Sequence, residues 1–349
     1  MLGFTVILAL VGTVSAACTG STCETCSFSS GCGWNGAQCV SSGLLNLNCG
    51  NAGWTCHDAY ACPGTPPAYN ESFARNQLWR LHAAQAQNVP TDIGFIGCME
   101  AADASAVFLG RVQVTCGFPL PTDSCTTDVF ALPASNAIVA TTLGTAVNST
   151  QLINALIALT IPLTTNGVII YWDNANSLLW PGVETILSSA FAPSSPYAGY
   201  NLVLSGHSIG AAVAVLMAGE AAQASWLPST AQVSSITFGE PRIGNYAFLD
   251  SNFAVAPNHL RIINQNDVIT TLPLAGLGVF HTKYPVQYKN GMTSAFLGTQ
   301  TICNTYEDSN CAANTLSGIP GLSPDYHNVY FGTPSYPTWR ATNCSYAGI

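Results

Sequence analysis

Short apolar runs alternate with longer Ala- and Leu-rich stretches from about residue 69 onward. Short apolar runs are typical of strands buried on both faces, and the longer stretches predict helices between them. The predicted strands are residues 137–140, 168–171, 202–204, 235–238 and 260–263, and the predicted helices are residues 183–190 and 209–224. Strands and helices that alternate in this way indicate an α/β fold with a largely parallel central sheet.

The segment before this pattern is different in composition. Residues 18–66 are rich in Cys, Gly, Ser and Asn and show almost no apolar periodicity, which indicates a small disulfide-rich module. The chain of 349 residues is long enough for two domains at roughly 150 residues each. We therefore expect a signal peptide at 1–17, a cysteine-rich module at 18–66 and an α/β domain at 67–349.

The N-terminus has the pattern of a secretory signal. Residues 6–11 are apolar and residues 14–17 are small, as a cleavage site requires. The apolar part is shorter than the ~20 residues that span a bilayer, and the C-terminus is polar, so neither a transmembrane nor a GPI anchor is expected. The expected location is extracellular, with a lysosomal or vacuolar lumen as the alternative.

Fourteen cysteines agree with an oxidising compartment. Eight lie between Cys18 and Cys62 and six follow, so each set is even and could pair within itself. The Cys23-Glu-Thr-Cys26 spacing also occurs in redox and zinc sites, but in a cysteine-dense secreted segment disulfides are the better prediction, and no metal site is expected. N-glycosylation sequons begin at Asn70, Asn148 and Asn343.

The composition of charged residues limits the classes of molecule that the chain can bind. Charged residues make up 7% of the sequence against a usual share of about 25%, and 17 acidic residues exceed 8 basic ones, for a net charge of −9. Such a chain lacks the Lys and Arg contacts that nucleic acids require. It is also poorly attracted to anionic membranes, so any lipid it binds should be neutral.

One motif carries candidate chemistry. Gly206-His-Ser-Ile-Gly210 matches G-x-S-x-G, with a predicted strand before it and a predicted helix after it. This strand–turn–helix context is that of a nucleophile elbow, in which Ser208 sits on a strained turn between glycines. A serine hydroxyl is a weak nucleophile, so a histidine base and an orienting carboxylate are required downstream.

The spacing of residues alone leaves those two partners open. His259, His281 and His327 all follow Ser208, with several acids among them. Asp267 comes just after the apolar run that ends at Ile263, near the carboxyl end of a predicted strand, where catalytic groups collect. His327 lies near the C-terminus in a Gly- and Pro-rich segment. Alternatively, Asp267 caps a turn and His327 is a surface histidine.

Five ordered blocks strengthen the interpretation: residues 137–145, 200–210, 237–245, 264–273 and 327–332. Together they resemble the class 3 lipases, the fungal-type triacylglycerol lipase family. The resemblance implies an α/β-hydrolase fold without metal or organic cofactor. It makes Ser208 the nucleophile, Asp267 the orienting acid and His327 the general base. It also implies an oxyanion hole formed by the N–H of Ile209 and by the N–H and hydroxyl of Thr145.

The chain departs from the family in three places. The family usually has Phe-Arg before the Gly-Thr of the oxyanion loop, whereas this chain has Thr142-Leu143, which removes a buried cation. Ile209 replaces the usual Leu, a small change because its N–H is the group that acts. The charged, Trp-bearing lid pattern is absent. His281 matches a non-catalytic histidine of the family and is expected to be structural.

The segment at the lid position has its own pattern. Leu152, Ile153, Leu156 and Ile157 recur at helical spacing in residues 150–159. The resemblance implies a lid helix that opens at a lipid surface; the alternative is an ordinary helix packed on the sheet. A glycan on Asn148 would lie at the hinge of such a lid.

The N-terminal module is similar to the start of a PSI (plexin–semaphorin–integrin) domain. The similarity rests on a set of cysteines with one tryptophan: Cys18, Cys23, Cys26, Cys32-Gly-Trp34 and Cys39. Asn35 stands where that pattern has a cysteine, so the family's pairing is not carried over. The resemblance implies a spacer or a surface for protein contact.

These observations predict a secreted serine esterase that hydrolyses acylglycerol esters at an oil–water interface. A phospholipase A1 or a feruloyl-type esterase of the same family is an alternative. From a different class, the alternative is a catalytically silent lipid-binding or adhesion protein. A peptidase would share the chemistry but lack the family blocks.

Overall fold

The structure is a computed structural model. It describes residues 18–21, 23, 26, 32–41, 55, 62–85, 93–116, 124–143, 163–293, 297–308, 310–311, 325–335, 338–341 and 344. The chain divides into two compact units, Met1–Pro63 and Gly64–Ile349. The predicted signal peptide lies outside the described residues, and the predicted boundary at residues 66–67 stays a prediction.

The first unit contains a short hairpin held by disulfides. Strands β1 (Cys32–Trp34) and β2 (Cys39–Ser41) pair antiparallel. Its described disulfides are Cys18–Cys32, Cys23–Cys62 and Cys26–Cys39. The two cysteines of the Cys23-Glu-Thr-Cys26 segment therefore each pair elsewhere. The sulfurs of Cys18, Cys32 and Cys39 lie close together, but all three are in disulfides and none is a thiolate ligand.

The second unit is built on one eight-stranded sheet. Its strands are β3 (Val107–Thr115), β4 (Ser124–Leu132), β5 (Ala137–Leu143), β6 (Asn201–His207), β7 (Val233–Phe238), β8 (His259–Asn264), β9 (Pro285–Tyr288) and β10 (Thr301–Ile302). The spatial order is β10-β9-β8-β7-β6-β5-β4-β3. Strands β5 to β9 run parallel to one another, whereas β4 pairs antiparallel with both β3 and β5, and β10 pairs antiparallel with β9.

Along the chain, the helices of this unit precede the first strand of the sheet, alternate with the strands from β5 to β8, and follow the last strand. They are α1 (Glu71–Phe73), α2 (Trp79–Ala84), α3 (Ile93–Ala102), α4 (Ile170–Ala190), α5 (Ile209–Gln223), α6 (Tyr246–Val255), α7 (Asp325–Asn328) and α8 (Thr338–Ala341). A short hairpin of β11 (Val329–Tyr330) and β12 (Thr333–Pro334) follows α7.

The core explains why these segments fold as they do. Helix α5 is buried on almost every side and packs on β5, β6 and β7, as expected of a helix that is apolar all round. Trp79 and Phe95, from α2 and α3, join a separate cluster with Val139, Val203 and Phe238 from three strands. Four predicted strands and the predicted helix 209–224 occur within a few residues of their predicted bounds, and the predicted helix 183–190 is part of the longer helix α4.

The predicted strand at residues 168–171 is wrong. Val168 and Ile169 make only isolated bridges, with Gly244 and Leu163, and helix α4 begins at Ile170. An apolar run of four residues does not distinguish a strand from the buried start of a helix. Here the last two residues of the run begin a 21-residue helix whose C-terminal half contains the predicted helix 183–190.

Three further disulfides join Cys98–Cys344, Cys116–Cys125 and Cys303–Cys311, so the six later cysteines pair among themselves, as their even number allows. Among the described residues, no helix combines the length and the apolar character that crossing a bilayer requires.

Candidate active site

Ser208 occupies a sharp turn between β6 and α5. Its backbone has φ +60° and ψ −130°, a conformation that few non-glycine residues adopt outside strained functional turns. A Cβ on Gly206 would overlap the carbonyl of Gly210, and a Cβ on Gly210 would overlap the carbonyl of Thr142. The flanking glycines are therefore required by close packing, and the backbone has the geometry of a nucleophile elbow.

His327 and Asp267 form a buried hydrogen-bonded pair. Nδ1 of His327 lies 2.9 Å from Oδ2 of Asp267, and the exposed fractions of the two residues are 2% and 0%. Asp267 follows the end of β8, while His327 lies in the short helix α7. The structure thus selects His327 as the partner of Asp267, and neither of the alternatives weighed from sequence, a turn cap alone or a surface histidine, describes the pair.

Asp267 accepts two more hydrogen bonds. Its Oδ1 accepts the backbone N–H of Ile269 at 2.9 Å, and its Oδ2 also accepts the hydroxyl of Tyr330 at 2.7 Å. Burial, and then the negative charge of Asp267, raise the pKa of Tyr330 well above its ordinary value. The phenol therefore keeps its proton and acts as the donor. Sequence analysis did not assign Tyr330 a role, although it stands three residues after His327.

Gly239 is a second residue to which sequence analysis gave no role. Its φ is +59°, and a Cβ there would lie 2.8 Å from Oδ2 of Asp267 and 2.8 Å from Nδ1 of His327. Only glycine fits both the left-handed backbone and this close approach. Its position after β7 within Thr237-Phe-Gly-Glu-Pro-Arg was the available signal.

Ser208 Oγ and His327 Nε2 are both buried, and within the described part of the chain neither has a hydrogen-bond partner. These are the two atoms that a serine–histidine pair would join. Their surroundings are shared: His207, which precedes Ser208, stacks on the His327 ring, and the N–H of Ser208 donates to the carbonyl of Phe238, next to Gly239. Catalytic hydrogen bonds are commonly loose without substrate.

One of the two predicted oxyanion donors is described. Ile209 is the first residue of α5, where helix geometry leaves backbone N–H groups without an intrahelical acceptor. Thr145 lies outside the described residues, as do the lid candidates Leu152, Ile153, Leu156 and Ile157. Strand β5, which leads toward Thr145, ends at Leu143.

The end of β5 is fixed by a buried polar network. Asp128 on β4 is fully buried and receives two hydrogen bonds from Arg111, Nε to Oδ1 at 2.6 Å and Nη2 to Oδ2 at 2.7 Å. Nε2 of Gln85 donates both to Oδ2 of Asp128, at 3.1 Å, and to the carbonyl of Thr141, at 2.8 Å. Arg111 on β3 thus supplies a cation next to β4 and β5, although Thr142-Leu143 at the end of β5 contains none. Sequence analysis missed these three side chains because they come together only in the sheet.

The loop after Asp267 is held by a second network. Arg242 donates to the carbonyls of Thr271 and Pro273, at 2.6 and 2.7 Å, and pairs with both oxygens of Glu307. Nδ1 of His281 lies 2.9 Å from Oε1 of the same glutamate. Burial, together with the charge of Arg261, lowers the pKa of His281 to about 4. His281 therefore lies in this network and not in the pair with Asp267.

The third candidate histidine is also elsewhere. His259 contacts the hydroxyls of Ser235 and Thr282, each at 2.6 Å, and lies 3.2 Å from Oε2 of Glu240. Burial alone would raise the pKa of Glu240, but His259 lowers it to about 2. The cavity beside this cluster has a volume of about 20 Å³, roughly the space of one water molecule.

The glycosylation candidates differ in what the structure says of them. Asn70 is exposed, and its Oδ1 accepts the N–H of Phe73 at 3.0 Å, so it caps α1. Asn148 and Asn343 lie outside the described residues.

Comparison with known proteins identifies relatives of the catalytic region. The family model for Lipase (class 3) matches residues 145–277. A "Secreted mono- and diacylglycerol lipase A" from Penicillium cyclopium is 32% identical over 133 residues, which are 38% of this chain and 42% of that protein. A rice "Phospholipase A1 EG1, chloroplastic/mitochondrial" is 40% identical over 80 residues, 23% of this chain and 17% of the relative. The chain thus spans less than half the length of either.

The fold has close counterparts among solved structures. Lipase II from Rhizopus niveus superposes with a TM-score of 0.63 at 16% identity, over 76% of this chain and 95% of that one. The triacylglyceride lipase of Rhizomucor miehei gives a TM-score of 0.59 at 18% identity, over 77% and 98%. These similarities confirm the predicted α/β-hydrolase fold.

Proposed function

We propose that this protein is a serine esterase of the class 3 lipase family and hydrolyses acylglycerol esters through an acyl-enzyme on Ser208. The observation that carries the proposal is the buried His327–Asp267 pair beside a serine on a strained elbow turn. In this proposal Asp267 orients the imidazole, His327 is the general base and Ser208 is the nucleophile.

The first step forms the acyl-enzyme. Ser208 Oγ attacks the ester carbonyl carbon while its proton passes to Nε2 of His327. The tetrahedral intermediate carries its negative charge toward the N–H of Ile209 and the N–H and hydroxyl of Thr145. When the intermediate collapses, the bond to the glycerol oxygen breaks, and His327 returns the proton to that leaving oxygen.

The second step releases the fatty acid. A water molecule gives a proton to Nε2 of His327 and its oxygen attacks the acyl carbon. Collapse of this second intermediate breaks the bond to Ser208 Oγ, which regains the proton from His327. The balance is one ester and one water consumed, one alcohol and one acid formed. No metal or organic cofactor enters either step.

A neutral acylglycerol is the substrate that the chemistry of the chain favours. Charged residues are 7% of the sequence, and the segment that follows the Asp267 turn exposes Leu274 and Leu277, with exposed fractions of 40% and 43%. An uncharged lipid surface suits such side chains. The Penicillium relative is named for mono- and diacylglycerol hydrolysis, which supports the same class.

A phospholipase A1 is the second candidate, because the rice relative carries that name at 40% identity over 80 residues. A feruloyl-type esterase and a catalytically silent lipid-binding protein are the remaining alternatives.

We further propose that the protein is secreted after removal of residues 1–17 and that residues 18–66 form a PSI-like module. The proposed lid contains Leu152, Ile153, Leu156 and Ile157. The proposed glycosylation sites are Asn70, Asn148 and Asn343.

The decisive experiment compares substrates and one variant. Wild type, Ser208→Ala and the matched control Ser234→Ala, in which a half-buried serine on β7 is changed, are assayed on emulsified triolein, phosphatidylcholine, methyl ferulate and p-nitrophenyl butyrate. We expect triolein hydrolysis by wild type and by Ser234→Ala, and none by Ser208→Ala. Turnover of phosphatidylcholine alone would select the phospholipase, and turnover of methyl ferulate alone the feruloyl esterase. An inert wild type would select the binding protein.

A further inference from the structure

The residue before the nucleophile contacts the proposed base directly. His207 is the last residue of β6, and its imidazole stacks on that of His327 with ring centroids 4.4 Å apart and planes inclined by 29°. Its Nε2 lies 2.9 Å from the backbone carbonyl oxygen of His327. Two separate contacts therefore join these residues, although they are 120 positions apart in the sequence.

The protonation of His207 follows from its partners. Burial, and then the neighbouring His327 and His82, lower its pKa well below the ordinary value, so the ring is neutral and carries one N–H. The His327 carbonyl can only accept a hydrogen bond, so that N–H is on Nε2. His207 is thus fixed in one tautomer, with its donor on the backbone of His327 and its ring face on the side chain.

The position of His207 is itself fixed. Trp79 of α2 meets its ring edge-on, with centroids 5.1 Å apart and planes at 80°. Nδ2 of Asn264 donates to the carbonyls of Tyr326 and Val329, on either side of His327 in the sequence. Side chains therefore hold the backbone around His327 at three carbonyls, and one of these side chains, that of His207, also stacks on the imidazole ring.

From this geometry we infer that His207 is a positioning residue for His327: its ring holds the plane of the imidazole and its N–H holds the backbone from which that imidazole extends. The inference rests on the proposed function, because it matters only if His327 transfers protons to and from Ser208. A base that is misplaced by about 1 Å can lose 100-fold in rate, while substrate binding is unaffected.

Three variants separate the two contacts. His207→Phe keeps the ring and loses the donor, His207→Gln keeps a donor and loses the ring, and His207→Ala loses both. We expect kcat on p-nitrophenyl butyrate to fall about 100-fold in His207→Ala and less in the other two, with KM unchanged. The rate constant for inactivation by diethyl p-nitrophenyl phosphate, which phosphorylates the serine, should fall in the same order.

His259→Gln is the matched control, because it also replaces a buried histidine but in the separate cluster with Ser235 and Thr282. All rates are divided by the folded fraction from circular dichroism. Equal kcat in wild type and all three His207 variants, or a loss in them no larger than in His259→Gln, would overturn the inference. A wild type that neither hydrolyses an ester nor reacts with the phosphate would instead overturn the proposed function.

Discussion

The hydroxyl of Tyr330 donates to the same carboxylate oxygen of Asp267 that accepts from His327, at 2.7 and 2.9 Å respectively. Because the backbone N–H of Ile269 takes the other oxygen, the carboxylate is held by three donors and is not free to rotate. The orientation of His327 therefore depends on residues outside the proposed triad.

Tyr330→Phe removes one of those three donors and leaves the ring in place. Hydrogen bonds to charged groups contribute about 1.5–3 kcal/mol, so we expect the free energy of unfolding to fall by that amount. We also expect kcat to fall while KM stays the same, since the carboxylate is less well fixed. Urea denaturation and kinetics on p-nitrophenyl butyrate measure both. Tyr197→Phe, at a ring that contacts Tyr200, is the control, and an unchanged kcat in Tyr330→Phe would contradict the assigned role.

Gly239→Ala places a methyl group 2.8 Å from both Asp267 and His327. The pair must separate to admit it, so we expect kcat to fall by 100-fold or more. Gly298→Ala is a matched control, because Gly298 also has a positive φ, +70°, but nothing lies within 4 Å of its added Cβ. Backbone strain is thus common to the two variants, and the steric effect is confined to Gly239→Ala. Similar kcat values in the two variants would show that the close approach does not matter for activity.

Arg111 should be necessary for stability because it compensates the buried carboxylate of Asp128. Removing Arg111 alone should therefore cost more than removing both side chains. Asp128 is fully buried, so Arg111→Met leaves an uncompensated carboxylate whose remaining side-chain donor among the described residues is Gln85. The expected cost is about 3–5 kcal/mol in the free energy of unfolding. The double variant Arg111→Met/Asp128→Leu should recover most of it. Urea denaturation of the wild type and the two variants provides the test, and a double variant no more stable than Arg111→Met would contradict it.

Much of the fold was predictable because the pattern of apolar residues within a single segment indicates its secondary structure. The buried parallel strands contain short apolar runs, and α5 is a largely apolar helix directly after its glycine-flanked turn. The run at residues 168–171 was misassigned because four apolar residues suit a strand and a helix start equally. The antiparallel strand β3 has no buried residue and is interrupted by Gly110, Arg111 and Gln113, so it was not predicted.

The residues of the candidate site were predictable only where a sequence motif or the family resemblance marks them. Ser208 stands out by its flanking glycines, and Asp267 and His327 were chosen by the family resemblance. Gln85, Arg111 and Asp128 meet across three separate segments, and nothing local in the sequence marks that meeting. The pairing of His207 with His327 likewise exists only in the folded chain.

Asn70 should carry a glycan without losing its cap. The glycan is attached at Nδ2, whereas the cap to Phe73 uses Oδ1. In protein secreted from a eukaryotic host, we expect peptide mass spectrometry to find Asn70 modified in wild type and unmodified in Asn70→Asp and Ser72→Ala. Asn70→Asp keeps the capping oxygen and should leave the free energy of unfolding of deglycosylated protein unchanged, whereas Asn70→Ala should lower it by about 1 kcal/mol. An unmodified Asn70 in wild type would refute the site.

Stability should fall as the pH falls below neutrality. Burial lowers the pKa of His82 to about 3, and burial with the charge of Arg261 lowers the pKa of His281 to about 4. The unfolded chain binds a proton on each below about pH 6.5, but the folded chain does not until its own lower pKa is reached. Protonation therefore favours unfolding, by about 1.4 kcal/mol per pH unit for each histidine from pH 6.5 down to about pH 4.

Replacing one of these histidines should make the protein less sensitive to acid. We expect His82→Gln to lose its share of the pH dependence, so that the free energy of unfolding, measured in urea at pH 7, 6 and 5, falls less steeply than in wild type. Asn76→Ala, a change outside the core, should shift the curve without altering its slope. A slope unchanged in His82→Gln would mean that this histidine is protonated equally in the folded and unfolded chain.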